Sequence, residues 1–131
     1  MRFGRQSAAA QRAVERRERE DRAPRLVEQV PDIVSLLLEI EDRSSSTATM
    51  QPKYLRRVVV ERAPALFLIP CGDPNCTDGG HDVTWPVMQA LQSHRVAFDG
   101  EDSCHGSVGS SSCTRVLHFH AVAQYKDAAA T

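Results

Sequence analysis

The stretch TRVLHFHAVAQY, residues 114–125, alternates Leu117, Phe119, Ala121, Ala123 and Tyr125 with His118, His120 and Gln124. A two-residue period puts the apolar side chains on one face of a pleated strand and the polar ones on the other. This segment therefore predicts a half-buried strand that ends the fold. The same period recurs upstream, where Leu36, Leu38 and Ile40 alternate with Glu39 and Glu41, predicting a strand at about 33–42. A helix continued through 26–42 would carry Pro31 inside it, at a cost of ~3 kcal/mol. The reading is thus a short helical turn before Pro31 and a strand after it.

Residues 43–53, RSSSTATMQPK, read as a polar loop, and YLRRVVVE (54–61) as a strand. Arg62-Ala63-Pro64 reads as a turn and ALFLI (65–69) as a buried strand. So short a connection predicts an antiparallel hairpin. In GGHDVTWPVMQALQSHR (79–95), Asp82 or Thr84 can accept hydrogen bonds from the first free N–H groups of a helix, and Pro86 is tolerated in its first turn. Val87, Met88 and Leu91 then recur at helical spacing, predicting a helix at about 84–94. A Gly/Asp/Ser-rich flexible stretch separates it from the final strand. No repeat is visible. The order β–β–β–α–β predicts an α+β fold: a small antiparallel sheet of three to four strands with one packed helix and a cysteine-rich knuckle.

The chain has 131 residues, one domain's worth. Residues 1–25 hold eight Arg against four acids, about +4, whereas residues 26–131 hold eight Lys and Arg against thirteen acids, about −5. A charged N-terminal arm (1–25), helical or disordered, is expected to precede a body of 26–131 small enough to benefit from a metal or disulfide. No apolar run approaches the ~18 residues that span a bilayer, so no membrane role is expected. The opening Met1-Arg2-Phe3-Gly4-Arg5 leads into Ala and charged residues rather than an apolar signal core. Cytoplasmic residence is the expectation, and thiols kept reduced there favour metal ligation over disulfides.

The four cysteines fall as Cys71-x4-Cys76 and Cys104-x8-Cys113, with the helix in the interval. The first pair closes CGDPNC, whose Gly, Asp, Pro and Asn can fold two sulfurs toward one point. Zinc takes four tetrahedral ligands and binds thiolate well, with ligand pairs usually two to four residues apart. The first spacing sits at that edge and the second lies outside it. Strand direction adds a constraint: pairing 114–125 with 65–69 does not bring Cys113 to the Cys71 end, so the loop after the helix must carry Cys104 back. His81 is a substitute ligand, and His105 adjoins Cys104. The expected cofactor is zinc, held by Cys71, Cys76, Cys104, Cys113 and, as a replacement, His81; disulfide or thiol-redox chemistry, free buried thiols and an iron–sulfur cluster are the alternatives. A knuckle joined to a short α+β body has a generic resemblance to zinc-ribbon-like modules.

Other motifs carry less. GGHDVTW (79–85) sets His81 beside Asp82 at a helix start, a possible base and acceptor, although a tight turn with an N-cap accounts for it. His118 and His120 share one strand face, a spacing that can chelate a metal but more commonly faces solvent. Asp73 cannot open an EF-hand loop, because positions six and twelve hold Asp78 and Thr84 rather than Gly and Glu. Pro70-Cys71 lacks the H-x-E partner of a zinc deaminase, and no P-loop, dinucleotide or G-x-S-x-G motif occurs. Arg12, Arg16, Arg17 and Arg19 offer a weak phosphate-binding arm, diluted by interspersed acids. These readings favour a non-catalytic zinc-stabilised module for a macromolecular partner, protein before nucleic acid. The rival is a thiol-redox or metal-dependent enzyme using the cysteine pairs or His81 and Asp82.

Overall fold

The computed structural model describes residues 8–44, 53–73 and 75–126. In chain order, α1 (Ala8–Arg22) and α2 (Leu26–Gln29) precede β1 (Ile33–Ser44), β2 (Lys53–Val58), β3 (Leu68–Ile69), β4 (Cys76–Thr77) and β5 (His81–Asp82). Then come α3 (Thr84–Gln92), β6 (Ala97–Ser103), β7 (Ser107–Val108), β8 (Ser111–Ser112) and β9 (Arg115–Tyr125). The fold is α+β. Its frame is a four-stranded antiparallel sheet in the order β2-β1-β9-β6, with β3–β5 and β4–β7–β8 forming two small ribbons.

Alternation builds the frame as the sequence implies. Leu36, Leu38 and Ile40 of β1 and Leu117, Phe119, Ala121 and Ala123 of β9 lie on one buried face. Phe98 of β6 joins them, its ring set edge-on to Phe119. Against this face pack Val87, Ala90 and Leu91 of α3, with Leu26, Val30, Phe67, Ile69 and Val83. Each fully buried aliphatic side chain contributes about 1.5–3 kcal/mol. α3 starts where expected: Asp82 Oδ1 accepts the Thr84 N–H at 3.0 Å, and Thr84 Oγ1 accepts the Phe67 N–H at 2.8 Å. α2 is the short turn expected before Pro31.

Two expectations are corrected. The hairpin between 54–61 and 65–69 does not form, because residues 63–65 are taken up elsewhere. Ala63 accepts the Leu26 N–H, the Ala65 N–H donates to Pro24, and Arg25 bridges to Pro64. β2 therefore stays at the sheet edge, and the expected strand 65–69 shrinks to β3, paired with β5. The stretch after α3 is also not a mere loop, since residues 97–103 form β6, the other edge of the main sheet. Of the arm, expected over 1–25 as helix or disorder, Ala8–Arg22 form the helix α1, while residues 1–7 lie outside the described residues. Residues 45–52 of the expected polar loop lie outside the described residues. No described helix is long and apolar enough to cross a membrane.

Candidate metal centre

The sheet collects the cysteines at one of its ends. β9 pairs with β1 and β6 rather than with β3, which removes the strand-direction difficulty. Ser103 lies opposite Val116, and the Cys104 N–H donates to the Arg115 carbonyl at 3.0 Å, so the end of β6 and the start of β9 lie side by side. The β7–β8 hairpin between them closes with the Cys113 N–H on the Gly106 carbonyl at 2.9 Å. β4 pairs with β7, setting Cys76 opposite Val108. Cys71 is tied to the end of β1 by the next residue, whose N–H (Gly72) donates to Asp42 Oδ2. In the knuckle the Asn75 N–H donates to Asp73 Oδ1 at 2.9 Å and the Cys76 N–H to the Asp73 carbonyl at 3.1 Å, the turn chemistry implied by CGDPNC.

The four sulfurs come together, each within 4.8 Å of the others, with Cys71 half-buried and the rest buried. Cys71 Sγ and Cys113 Sγ are 3.7 Å apart, and Cys76 Sγ and Cys104 Sγ 3.6 Å. A disulfide would need about 2.05 Å, and all four thiols are free. Four thiolates around one zinc at about 2.3 Å form a tetrahedron with edges of about 3.8 Å. Those two separations are close to that edge, and the remaining ones lie within 4.8 Å. The second cysteine pair needed no short spacing, because the β7–β8 hairpin doubles the chain back over its eight intervening residues.

Backbone donors are aimed at the sulfurs. The Asp73 N–H points to Cys71 Sγ, and the Gly80 and Gly106 N–H groups to Cys104 Sγ, all at 3.4 Å. Burial pushes the Cys71 thiol well above its ordinary range and the Cys76 thiol up to about 11. At Cys104 burial also opposes ionisation, but the Gly106 and Gly80 N–H groups and the Cys76 and Cys113 thiols outweigh it, and its pKa is lowered. Glycine is required at two contacts: a Cβ on Gly79 would overlap Cys76 and Cys104 Sγ, and one on Gly106 would overlap Cys76 Sγ and the Thr77 carbonyl. The cluster can hold one thiophilic cation.

His81 lies beside this centre, with its side chain fully buried and Nδ1 3.0 Å from Asp102 Oδ2. Asp82, its sequence neighbour, is instead turned to solvent, near Arg19 at 3.7 Å. The partners that sequence reading missed are Asp42 and Asp102. Asp42 stands in phase with Leu36, Leu38 and Ile40, and Asp102 in phase with Phe98 and Gly100, so each places a carboxylate on a core-facing row. That phase was the available signal.

His118 and His120 project from the opposite, open face of the sheet. His118 Nε2 lies 3.4 Å from Glu101 and His120 Nδ1 2.7 Å from Asp99, an exposed cross-strand ladder. Among the described residues, neither belongs to a group of three ligating side chains. Arg12, Arg16 and Arg19 of α1 line a cleft of about 780 Å³ with Cys71, His81 and His105, while Arg17 is exposed. No protein-family model, no curated protein and no solved structure matches the chain.

Proposed function

We propose that this is a zinc-stabilised, non-catalytic binding module of zinc-ribbon-like character, in which Cys71, Cys76, Cys104 and Cys113 hold one structural zinc. The observation that carries this reading is the convergence of four sulfurs, from the 71–76 knuckle and the two ends of the 104–113 hairpin, all within 4.8 Å of one another and with two of the separations close to the edge of a zinc tetrathiolate. The knuckle has almost no other reason to fold. Its buried cluster contains only Cys76, Cys104 and Cys113, with Cys71 and Val108 against them, and it is separate from the main core. A closed four-ligand shell is the structural type of zinc site. In the metal-free protein the raised pKa values of Cys71 and Cys76 work against thiol-redox chemistry at those two thiols, although not at Cys104, whose pKa is lowered.

The partner is a macromolecule, and a protein is favoured over nucleic acid. Trp85 is 71% exposed at the start of α3, a side chain of the kind that anchors protein interfaces. The arm's arginines face a cleft that also carries Asp73, Asp78 and Asp82, which cancels much of their attraction for phosphate. The arm (1–25) then acts as a second contact with that partner, beside the body (26–131), in a reducing compartment such as the cytoplasm.

Metal analysis of protein purified under reducing conditions tests the centre. About one tightly held zinc per chain, with loss of the knuckle on chelation, is the expected result; a metal-free protein of unchanged stability refutes it. Deleting residues 1–22 tests the arm: salt-sensitive nucleic-acid binding by the intact chain that disappears on deletion would overturn the preference for a protein partner.

A further inference from the structure

Two buried side-chain polar atoms among the described residues have no hydrogen-bond partner, Asp42 Oδ1 and His81 Nε2. Leaving one such atom buried and unpaired costs about 1–3 kcal/mol, and more for a charged group. Both belong to the same small group. Asp42, Cys71 and His81 each offer a ligand atom within 4.8 Å of the others. We propose that Asp42, Cys71 and His81 form a second divalent-cation site of the zinc class, joined to the four-cysteine centre by the Cys71 sulfur as a shared ligand. It rests on the four-thiolate reading, because the bridge needs an ion on the far side of Cys71.

The surroundings of each ligand are those of a metal site. A carboxylate oxygen at the His81–Asp102 contact suits the tautomer with the proton on His81 Nδ1, since an ionised carboxylate only accepts hydrogen bonds. In a neutral imidazole that leaves Nε2, the orphaned atom, with its lone pair free for a cation. A histidine ligand that gives its other N–H to a carboxylate is the usual arrangement around bound zinc. Asp42 is held in the same way: Oδ2 takes the Gly72 N–H, and Oδ1 is left over. Arg115 NH1 stands 4.0 Å from Asp42 Oδ1, beyond hydrogen-bond reach, and is directed instead at the Asp42 carbonyl at 3.4 Å.

Charge favours the same reading. A zinc tetrathiolate carries two net negative charges, and beside it lie the buried Asp42 carboxylate and the partly exposed Asp102 carboxylate. Like charges at this depth repel strongly unless a cation lies between them. Carboxylate, imidazole and thiolate are each zinc ligands, and their donor atoms lie about 3.3–3.8 Å apart around one ion, a spacing the 4.8 Å bound allows. Three protein ligands leave the fourth position to water or a small anion. Cys71 and His81 also line the cleft, which gives a cation a way in.

Titrating the metal-free, reduced full chain with Zn²⁺ or Co²⁺ tests this. Wild type is expected to reach two equivalents. Asp42→Asn and His81→Gln are each expected to stop at one, with at least a tenfold loss at the weaker step, while the thiolate-to-cobalt absorption of the four-cysteine centre persists. Saturation at one equivalent, unchanged in both variants, overturns the second site and leaves the four-thiolate centre standing. Saturation at one in wild type and none in the variants overturns the bridged arrangement, assigning His81 and Asp42 to a single site. Absence of any metal uptake overturns both readings. Saturation of wild type at one equivalent overturns the second site without depending on how either variant folds.

Discussion

Gly79→Ala isolates the steric fit of the metal centre. A Cβ there would stand 2.6 Å from Cys104 Sγ and closer still to Cys76 Sγ, whereas ordinary contact begins at 3.4 Å. Relief requires the Cys76–Cys104 pair, now 3.6 Å apart, to shift by nearly an ångström relative to the chain at Gly79. Thiolates fixed around an ion cannot shift that far without distorting the tetrahedron. Overpacking of this kind costs about 1–3 kcal/mol. In the metal-free protein the knuckle, with little else holding it, relaxes and sheds most of that strain. The cost then falls on binding, lowering zinc affinity about 5- to 150-fold.

Competition against a chromophoric chelator measures that loss, and Gly109→Ala is the control. Gly109 has a positive φ of 62° but nothing within 4 Å of a new Cβ. Its alanine variant carries only the left-handed backbone cost of roughly 1–2 kcal/mol, and its new Cβ meets no sulfur. Zinc affinity in Gly79→Ala within twofold of wild type, or an equal loss in Gly109→Ala, would refute the reasoning.

Two further expectations follow from the same geometry. Chelation should raise hydrogen exchange at 71–82 and 104–113 while β1 and β9 stay protected, because the knuckle and the main core are separate clusters; uniform loss of protection would contradict this. The pH dependence should reverse between the two forms. In metal-free protein the folded pKa of Cys76, about 11 against 9.0 for a free thiol, and the raised Cys71 confer stability that is fully present below pH 9 and lost as pH rises toward 11, with the lowered Cys104 offsetting part of it. In metal-loaded protein, protons compete with zinc for thiolates, so stability falls as pH falls. Denaturant midpoints of both forms across pH 5–11 check the opposite slopes.

The strands most legible in the sequence were those with one face fully committed to the core. β1 and β9 alternate cleanly because each is interior to the sheet and packed on one side only. β6 escaped notice because it is an edge strand whose inward row reads Phe98, Gly100, Asp102. Gly100 is kept small by the Phe119 ring, and Asp102 is turned to His81, so a single large apolar residue marks the strand. The hairpin from β2 failed for a different reason. Its return strand was captured by the segment joining α1 to α2, a long-range competition that local pattern does not record. The cysteines were legible as a set, but their assembly depended on β6 and on the pairing of β9 with β1. Neither follows from ligand spacing.

Asp42 is where stability and metal binding should part. Within the metal-free protein its carboxylate is buried with one oxygen unpaired, 4.0 Å from the nearest guanidinium, so Asp42→Asn removes a poorly compensated charge. A buried charge without a close partner costs free energy, so a neutral group of the same shape is expected to leave stability unchanged or raise it. An asparagine oxygen can still take the Gly72 N–H, so the tie between β1 and the Cys71 turn survives. With both cations bound the sign should reverse, because the same substitution deletes a ligand and leaves the second ion with only two protein donors, Cys71 and His81. Urea midpoints of wild type and Asp42→Asn, each with chelator and with excess zinc, give the four numbers required. A variant that is destabilised equally in both conditions would mean that Asp42 serves only to fasten the turn, and the case for a second cation would lose its principal ligand.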